Sequence, residues 1–154
     1  MREISYQNDL EYMGIALEQA EKAGQCGEVP IGAVLVKGGT VLTADRNRRE
    51  EYKDATAHAE ILVLRQGGQQ LGGWRLSGCT LYVTLEPCPM CAGAMVQARI
   101  DRLVYGAKDP KAGAAGTLYD ITRDERLNHH LVVAGGIREK QCAALLQHFF
   151  RSRR

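Results

Sequence analysis

A chain of 154 residues that is 45% apolar and 25% charged suits one soluble domain over residues 1–154, large enough to bury roughly two thirds of its unfolded surface. A net charge of +2 is too small by itself to imply a nucleic-acid partner, and five cysteines, odd in number and irregular in spacing, argue against a disulfide scaffold. Met1 to Asp9 is polar, with no apolar core of a signal peptide, and no apolar run approaches the roughly 18 residues that cross a bilayer. A cytoplasmic protein with no membrane partner is expected.

Leu10, Met13, Ala16, Leu17 and Ala20 recur at helical spacing before Gly24, which predicts an amphipathic helix over 9–23. Ile31 to Val36 and Val41 to Asp45 are β-rich and flank Gly38-Gly39, the pattern of a hairpin. Ala57 to Gln66 holds good helix formers and should stop at Gly67-Gly68. Thr80 to Leu85 reads as a buried strand, Cys88 to Ala98 as a helix rich in small residues, and Arg102 to Tyr105 as a short strand. A brief strand near Leu131 to Val133 and a helix from Arg138 to Phe150 close the chain. The order α-β-β-α-β-α-β-(loop)-β-α indicates an α/β domain with helices covering a mixed sheet. Thr80 to Tyr105 should form a crossover between parallel strands, right-handed as such units are.

Two short segments carry the chemistry: Ala57-His58-Ala59-Glu60 and Pro87-Cys88-Pro89-Met90-Cys91. Both fall at predicted helix starts. Cys88 and Cys91, three apart on a first turn, present their sulfurs to one face. Unpaired N–H groups and the helix dipole there favour thiolates. Pro87 suits a helix entrance, where a missing N–H is harmless. Taken alone, C-x-x-C is as readily a redox pair or two buried cysteines, and a lone histidine or glutamate is usually surface or packing. Together the residues form H-x-E…P-C-x-x-C, the signature of zinc nucleobase deaminases. One imidazole and two thiolates leave zinc a fourth position for water, the mark of a catalytic site. Two helical steps of about 100° each turn Glu60 away from His58 on a regular helix, so Glu60 is expected as the proton carrier and not as a ligand. With the water's pKa brought to roughly 7, hydroxide attacks an amine-bearing ring carbon while Glu60 shuttles the proton and releases ammonia. The expected reaction is hydrolytic deamination with one Zn2+ per subunit.

Further stretches carry a resemblance over nearly the whole chain: Glu28 to Val34 (EVPIGAV), Thr56 to Ile61, Leu81 to Met95 (LYVTLEPCPMCAGAM), Tyr105 to Asp120 (YGAKDPKAGAAGTLYD), and Cys142 to Leu146 with Phe149-Phe150-Arg151. The sequence resembles the bacterial tRNA-specific adenosine deaminases of the zinc-dependent cytidine/deoxycytidylate deaminase superfamily. That resemblance implies an α/β, three-layer cytidine-deaminase-like fold, with a central mixed sheet of about five strands flanked by helices. It also implies conversion of wobble adenosine to inosine in a tRNA anticodon stem-loop, and a homodimer whose interface includes the helix Ala92 to Ala98.

By the same resemblance, Asn47 would hydrogen-bond the flipped adenosine and Val29 and Ile31 would wall its pocket. Asp109 and Lys111 would meet the anticodon loop, Asn128 would reach the substrate nucleotide, and Phe149 with the last arginines would pack on or steer the RNA. Each has a plainer reading: Asn47 as a turn residue, Asp109 as a solvated acid, Gly113 to Gly116 as an ordinary glycine loop, and Phe149 and Phe150 as the apolar face of the last helix. The basic clusters Arg46-Arg48-Arg49, Lys108-Lys111 and Arg151-Arg153-Arg154 read first as solvated surface and only second as local patches for a partner. Ala55 and Arg46 depart from the family pattern, which often has proline and an aromatic at those places. A deaminase of free guanine, cytosine or cytidine is the alternative enzyme, and a noncatalytic zinc module the alternative of another class. Cys26, Cys79 and Cys142 are expected as small packing residues.

Overall fold

The computed structural model describes residues 2–153, so Arg154 of the terminal basic cluster, like Met1, lies outside the described residues. The elements run α1 (Arg2–Gln25), β1 (Gly32–Lys37), β2 (Thr40–Arg46), α2 (Arg49–Tyr52), α3 (Ala59–Leu71), β3 (Cys79–Leu85), α4 (Pro89–Ala98), β4 (Arg102–Ala107), β5 (Val132–Ala134) and α5 (Glu139–Arg151).

The five strands form one mixed sheet in the order β2-β1-β3-β4-β5. β1 is antiparallel to both β2 and β3, whereas β3, β4 and β5 are parallel. Gly38 and Gly39 close the β1–β2 hairpin with φ of 56° and 77°, a backbone that L-residues with a Cβ adopt only under strain. Both faces of the sheet are buried, so the strands read as continuous apolar runs. Leu35, Leu81, Val83, Leu103 and Tyr105 pack into the layer of α3 and α4. Val34, Val36, Tyr82 and Val104 alternate to the other face, against Met13, Ala16 and Leu17 of α1 and Cys142 of α5. This is the three-layer α/β architecture expected.

Three details differ from expectation. First, α1 begins seven residues before the predicted start, and its buried stripe includes Asp9, whose carboxylate accepts two hydrogen bonds from Arg102 (2.7 and 2.8 Å) and one from the Tyr82 hydroxyl (2.7 Å). Second, α3 runs through Gly67-Gly68 to Leu71 and stops at Gly72, with φ of 74°. Gly67 is there for packing, since a Cβ would fall 2.4 Å from Leu35 Cδ2. Third, the proline at the first position of α4 is Pro89; Pro87 lies one residue before the cap. The short α2 has no apolar periodicity to announce it and buries no residue.

Residues 108–131 carry no helix or strand beyond an isolated bridge between Ala115 and Asp120. Loops of that length inside a compact domain are usually functional. No helix among the described residues is long and apolar enough to cross a membrane.

Candidate active site

His58 caps α3 and Cys88 caps α4, both in extended backbone, while Cys91 lies in the first turn of α4. The β3–α4–β4 unit and the α3 layer thus bring two helix N-termini together at one end of the sheet. His58 Nδ1 is 3.7 Å from Cys88 Sγ and 3.4 Å from Cys91 Sγ. One ligand atom from each residue lies within 4.8 Å of the others, a spacing at which three side chains can hold a metal ion. Hydrogen bonding from Cys91, aided by His58, pulls the Cys88 thiol down to about 4. The same hydrogen bond between the two side chains, together with burial, drives Cys91 far upward. Two sulfurs converging on one imidazole nitrogen suit a soft divalent cation, which displaces the thiol protons on binding.

Glu60, two residues into the start of α3, is 4% exposed, and its Oε1 has no hydrogen-bond partner. Burial raises its pKa to about 7. An isolated acid in that state is costly, and an unpartnered oxygen beside the His-Cys-Cys cluster marks a place for something the protein chain does not supply. Donor chemistry and orphan oxygen both fit zinc with a water.

Asn47 is 3% exposed and joins three segments. Its Oδ1 accepts from the Ala59 N–H (2.9 Å), its Nδ2 donates to the Val29 carbonyl (3.3 Å), and its own N–H donates to Ile31 (3.1 Å). The carboxamide therefore satisfies an orphan donor at the start of α3 and ties Val29 and Ile31 to the His58 segment. Arg46, at the position departing from the family pattern, is buried and donates to the Asn47 carbonyl and to Glu51. Glu28, which sequence reasoning passed over, is 2% exposed and accepts from the Glu50 and Glu51 amides, fixing α2 beside Val29. Nothing in its spacing from either partner announces this.

Val29 also borders a groove of about 820 Å³ whose other walls include Lys108, Asp109, Lys111, Phe150 and Arg151. Phe149 lines a neighbouring cavity of about 250 Å³ with Val29, Asn47, Arg49 and Arg153, and the Arg153 guanidinium lies 4.3 Å from its ring centre. Asp109 turns its carboxylate into its own loop, accepting from the Lys111 and Ala112 amides at 2.9 and 3.2 Å. Asn128 is exposed beside His129, which contacts the Ile100 carbonyl beyond the far end of α4. Within one chain it is not brought to the His-Cys-Cys cluster.

A half-buried His-Cys-Cys cluster with an adjacent buried acid, mounted on two helix starts above a mixed sheet, defines a hydrolytic deaminase. A profile describing the MafB19-like deaminases matches residues 7–154. A tRNA-specific adenosine deaminase of Bacillus subtilis is 50% identical over 143 residues, covering 93% of this chain and 89% of that protein. A solved structure from work on A-to-I editing by tRNA:A34 deaminases at the wobble position of transfer RNA has a TM-score of 0.86 and 48% identity, over 88% of this chain and 99% of that one. A guanine deaminase of Bacillus subtilis is more distant, at 36% identity and a TM-score of 0.64 over 70% of this chain and 69% of its own. The chain belongs to the MafB19-like deaminase family, among the tRNA-specific adenosine deaminases.

Proposed function

We propose that this protein hydrolyses wobble adenosine to inosine in the anticodon stem-loop of tRNA, releasing ammonia. The observation that carries the chemistry is the orphan oxygen of buried Glu60 beside His58, Cys88 and Cys91. The RNA substrate rests on kinship: the adenosine deaminase relative is 50% identical across 93% of the chain, against 36% across 70% for the guanine deaminase.

His58, Cys88 and Cys91 hold one zinc ion per subunit. When bound, zinc supplies Lewis acidity that lowers the pKa of a water to about 7. The remaining work falls to the chain. Glu60 Oε1 accepts a proton from the attacking water and delivers it to the ring nitrogen beside C6 of adenine. The new C–O bond forms at C6, Glu60 takes the hydroxyl proton and passes it to the amine, and the C–N bond breaks to release ammonia. One carboxylate serves both transfers because each step regenerates it.

Val29 and Ile31 wall the base pocket, and Asn47 fixes both walls; the second N–H of its carboxamide is the group that meets the flipped base. Phe149, with the arginines of the last turn, packs on the nucleotide. Asp109 and Lys111 face the anticodon loop across the groove they line, and Asn128 contacts RNA beyond the reacting nucleotide. The protein acts in the cytoplasm as a homodimer. Support for the dimer comes from an uncovered apolar surface between α3 and α4, where Ile61, Leu64, Ala94 and Ala98 surround Trp74, which is 60% exposed. Ala92, Met95 and Val96 of the same helix face inward and take no part in it.

The test is direct. The zinc-loaded protein is incubated with an anticodon stem-loop carrying adenosine at its first anticodon position, and in parallel with free guanine, cytosine, cytidine and adenosine. Inosine in the RNA, read as guanosine on sequencing, is the expected product; ammonia release from the free compounds at a higher kcat/KM would reject the assignment.

A further inference from the structure

Glu86 leaves β3 two residues ahead of Cys88 and is 2% exposed, yet among the described residues no cation pairs with it. Its partners all come from one loop. Oε1 accepts from the Asp109 N–H (3.1 Å) and the Thr117 hydroxyl (2.5 Å); Oε2 accepts from the N–H groups of Ala115 (3.0 Å) and Thr117 (3.1 Å). Two backbone bonds brace the same contact, Glu86 N–H to Ala107 and Ala114 N–H to Pro87, each 2.8 Å. Gly113 is pressed so closely against the acid that a Cβ would fall 2.6 Å from the Glu86 carboxyl carbon. A lysine or arginine would have neutralised this carboxylate from many angles. Four donors from three loop positions fix one geometry.

The acid stands between two functional segments. On one side the chain leads straight into Cys88 and Cys91; on the other the loop carries Lys108, Asp109 and Lys111 into the groove they share with Val29. We infer that Glu86 is a positioning residue for the RNA: its carboxylate locks the anticodon-facing loop to the cysteine-bearing turn, so that the loop's contacts and the reacting base keep one register. The inference rests on the proposed function, because it assigns that loop to RNA.

Glutamine at this place is a selective probe. Its amide accepts only through oxygen. Turned so that the oxygen keeps the Ala115 and Thr117 amides, it points its NH2 at the Thr117 hydroxyl, which can rotate to accept, and at the Asp109 N–H, which cannot. Glu86→Gln thus releases the end of the loop that bears Asp109 and Lys111.

Steady-state kinetics on the zinc-loaded enzyme with anticodon stem-loop RNA supply the test. Glu86→Gln should raise KM about tenfold with kcat within about twofold of the parent and zinc still bound at one per chain. Thr117→Val, which removes only the hydroxyl donor and should fold normally, should raise KM by about threefold. In a Lys111→Ala background the effect of Glu86→Gln on KM should shrink below about threefold, since the two then share one lost contact. A fall in kcat at unchanged KM, loss of zinc, or a full undiminished effect in the Lys111→Ala background would each overturn the inference. Unchanged KM in Thr117→Val does the same if the glutamine variant does not fold. Failure of the parent enzyme to form inosine is a separate reading, taken before any variant, and removes the functional proposal itself.

Discussion

A carboxyl group sealed from water with one oxygen unpartnered raises the free energy of the fold unless the working state fills the contact. Glu60 is such a group, and a purely structural zinc site has no use for it. Glu60→Ala should therefore keep zinc at one per chain, by metal analysis, and lower kcat for inosine formation by at least about a thousandfold. Persisting activity would assign the proton transfers elsewhere, and loss of zinc would make the acid part of the metal's seat. Asn47 acts differently, through the amide it satisfies at the start of α3. Replacing it by alanine should cost about 1 kcal/mol in urea unfolding and weaken zinc binding, because the His58 cap loses its brace. The spacing of His58, Glu60, Cys88 and Cys91 was legible in the sequence because metal and proton chemistry demand those residue types at helix starts. Glu86 and Glu28 were not: each works on backbone amides more than twenty residues away, and an N–H leaves no mark in the residue alphabet.

At the scale of elements, close approach explains what periodicity misread. Gly67-Gly68 looks like a helix stop, yet α3 continues because Gly67 lets the helix lie against Leu35 of β1. Gly67→Ala should destabilise the protein by about 1–3 kcal/mol in spite of alanine's better helix propensity, whereas a true stop would tolerate it. The other informative tie is Asp9 of α1. Burial raises its pKa, but the Arg102 hydrogen bonds, the Tyr82 hydroxyl and the Arg102 charge outweigh that and leave it below its ordinary value. With the folded value depressed, the stabilisation is present in full above the unfolded pKa of about 4 and is lost as pH falls through the folded one. Asp9→Asn should flatten the acid limb of urea-measured stability below about pH 4. The hairpin was readable from two β-rich runs flanking the Gly-Gly turn, and the parallel pairing of β3 with β4 from the strand-helix-strand order. The register of α1 against the sheet was not, since it hangs on a buried acid that composition marks as surface.

For the whole molecule, the small net charge hides an uneven distribution. Lys108 and Lys111 are exposed on one wall of the groove that Val29 borders, and Arg151 and Arg153 lie on α5 and just after it. Binding of an anticodon stem-loop should weaken at least about tenfold between roughly 50 and 200 mM salt, and salt-insensitive binding would count against phosphate contacts in this groove. The two ligand-bearing helices, α3 and α4, lie side by side in one layer and meet at the His-Cys-Cys cluster through their N-termini, so removing zinc with a chelator should lower the melting temperature by about 5 °C or more, with recovery on adding zinc back.

The tight seat of Gly113 against Glu86 bears on how such a protein can change over generations. A lineage that enlarges residue 113 collides with the carboxyl of Glu86 and equally with the backbone carbonyl of Asp109, so shortening residue 86 gives no relief. Glycine at 113 is thus demanded by the loop's own backbone as well as by the acid it rests on, and any side chain there would have to remould the surface that the loop presents.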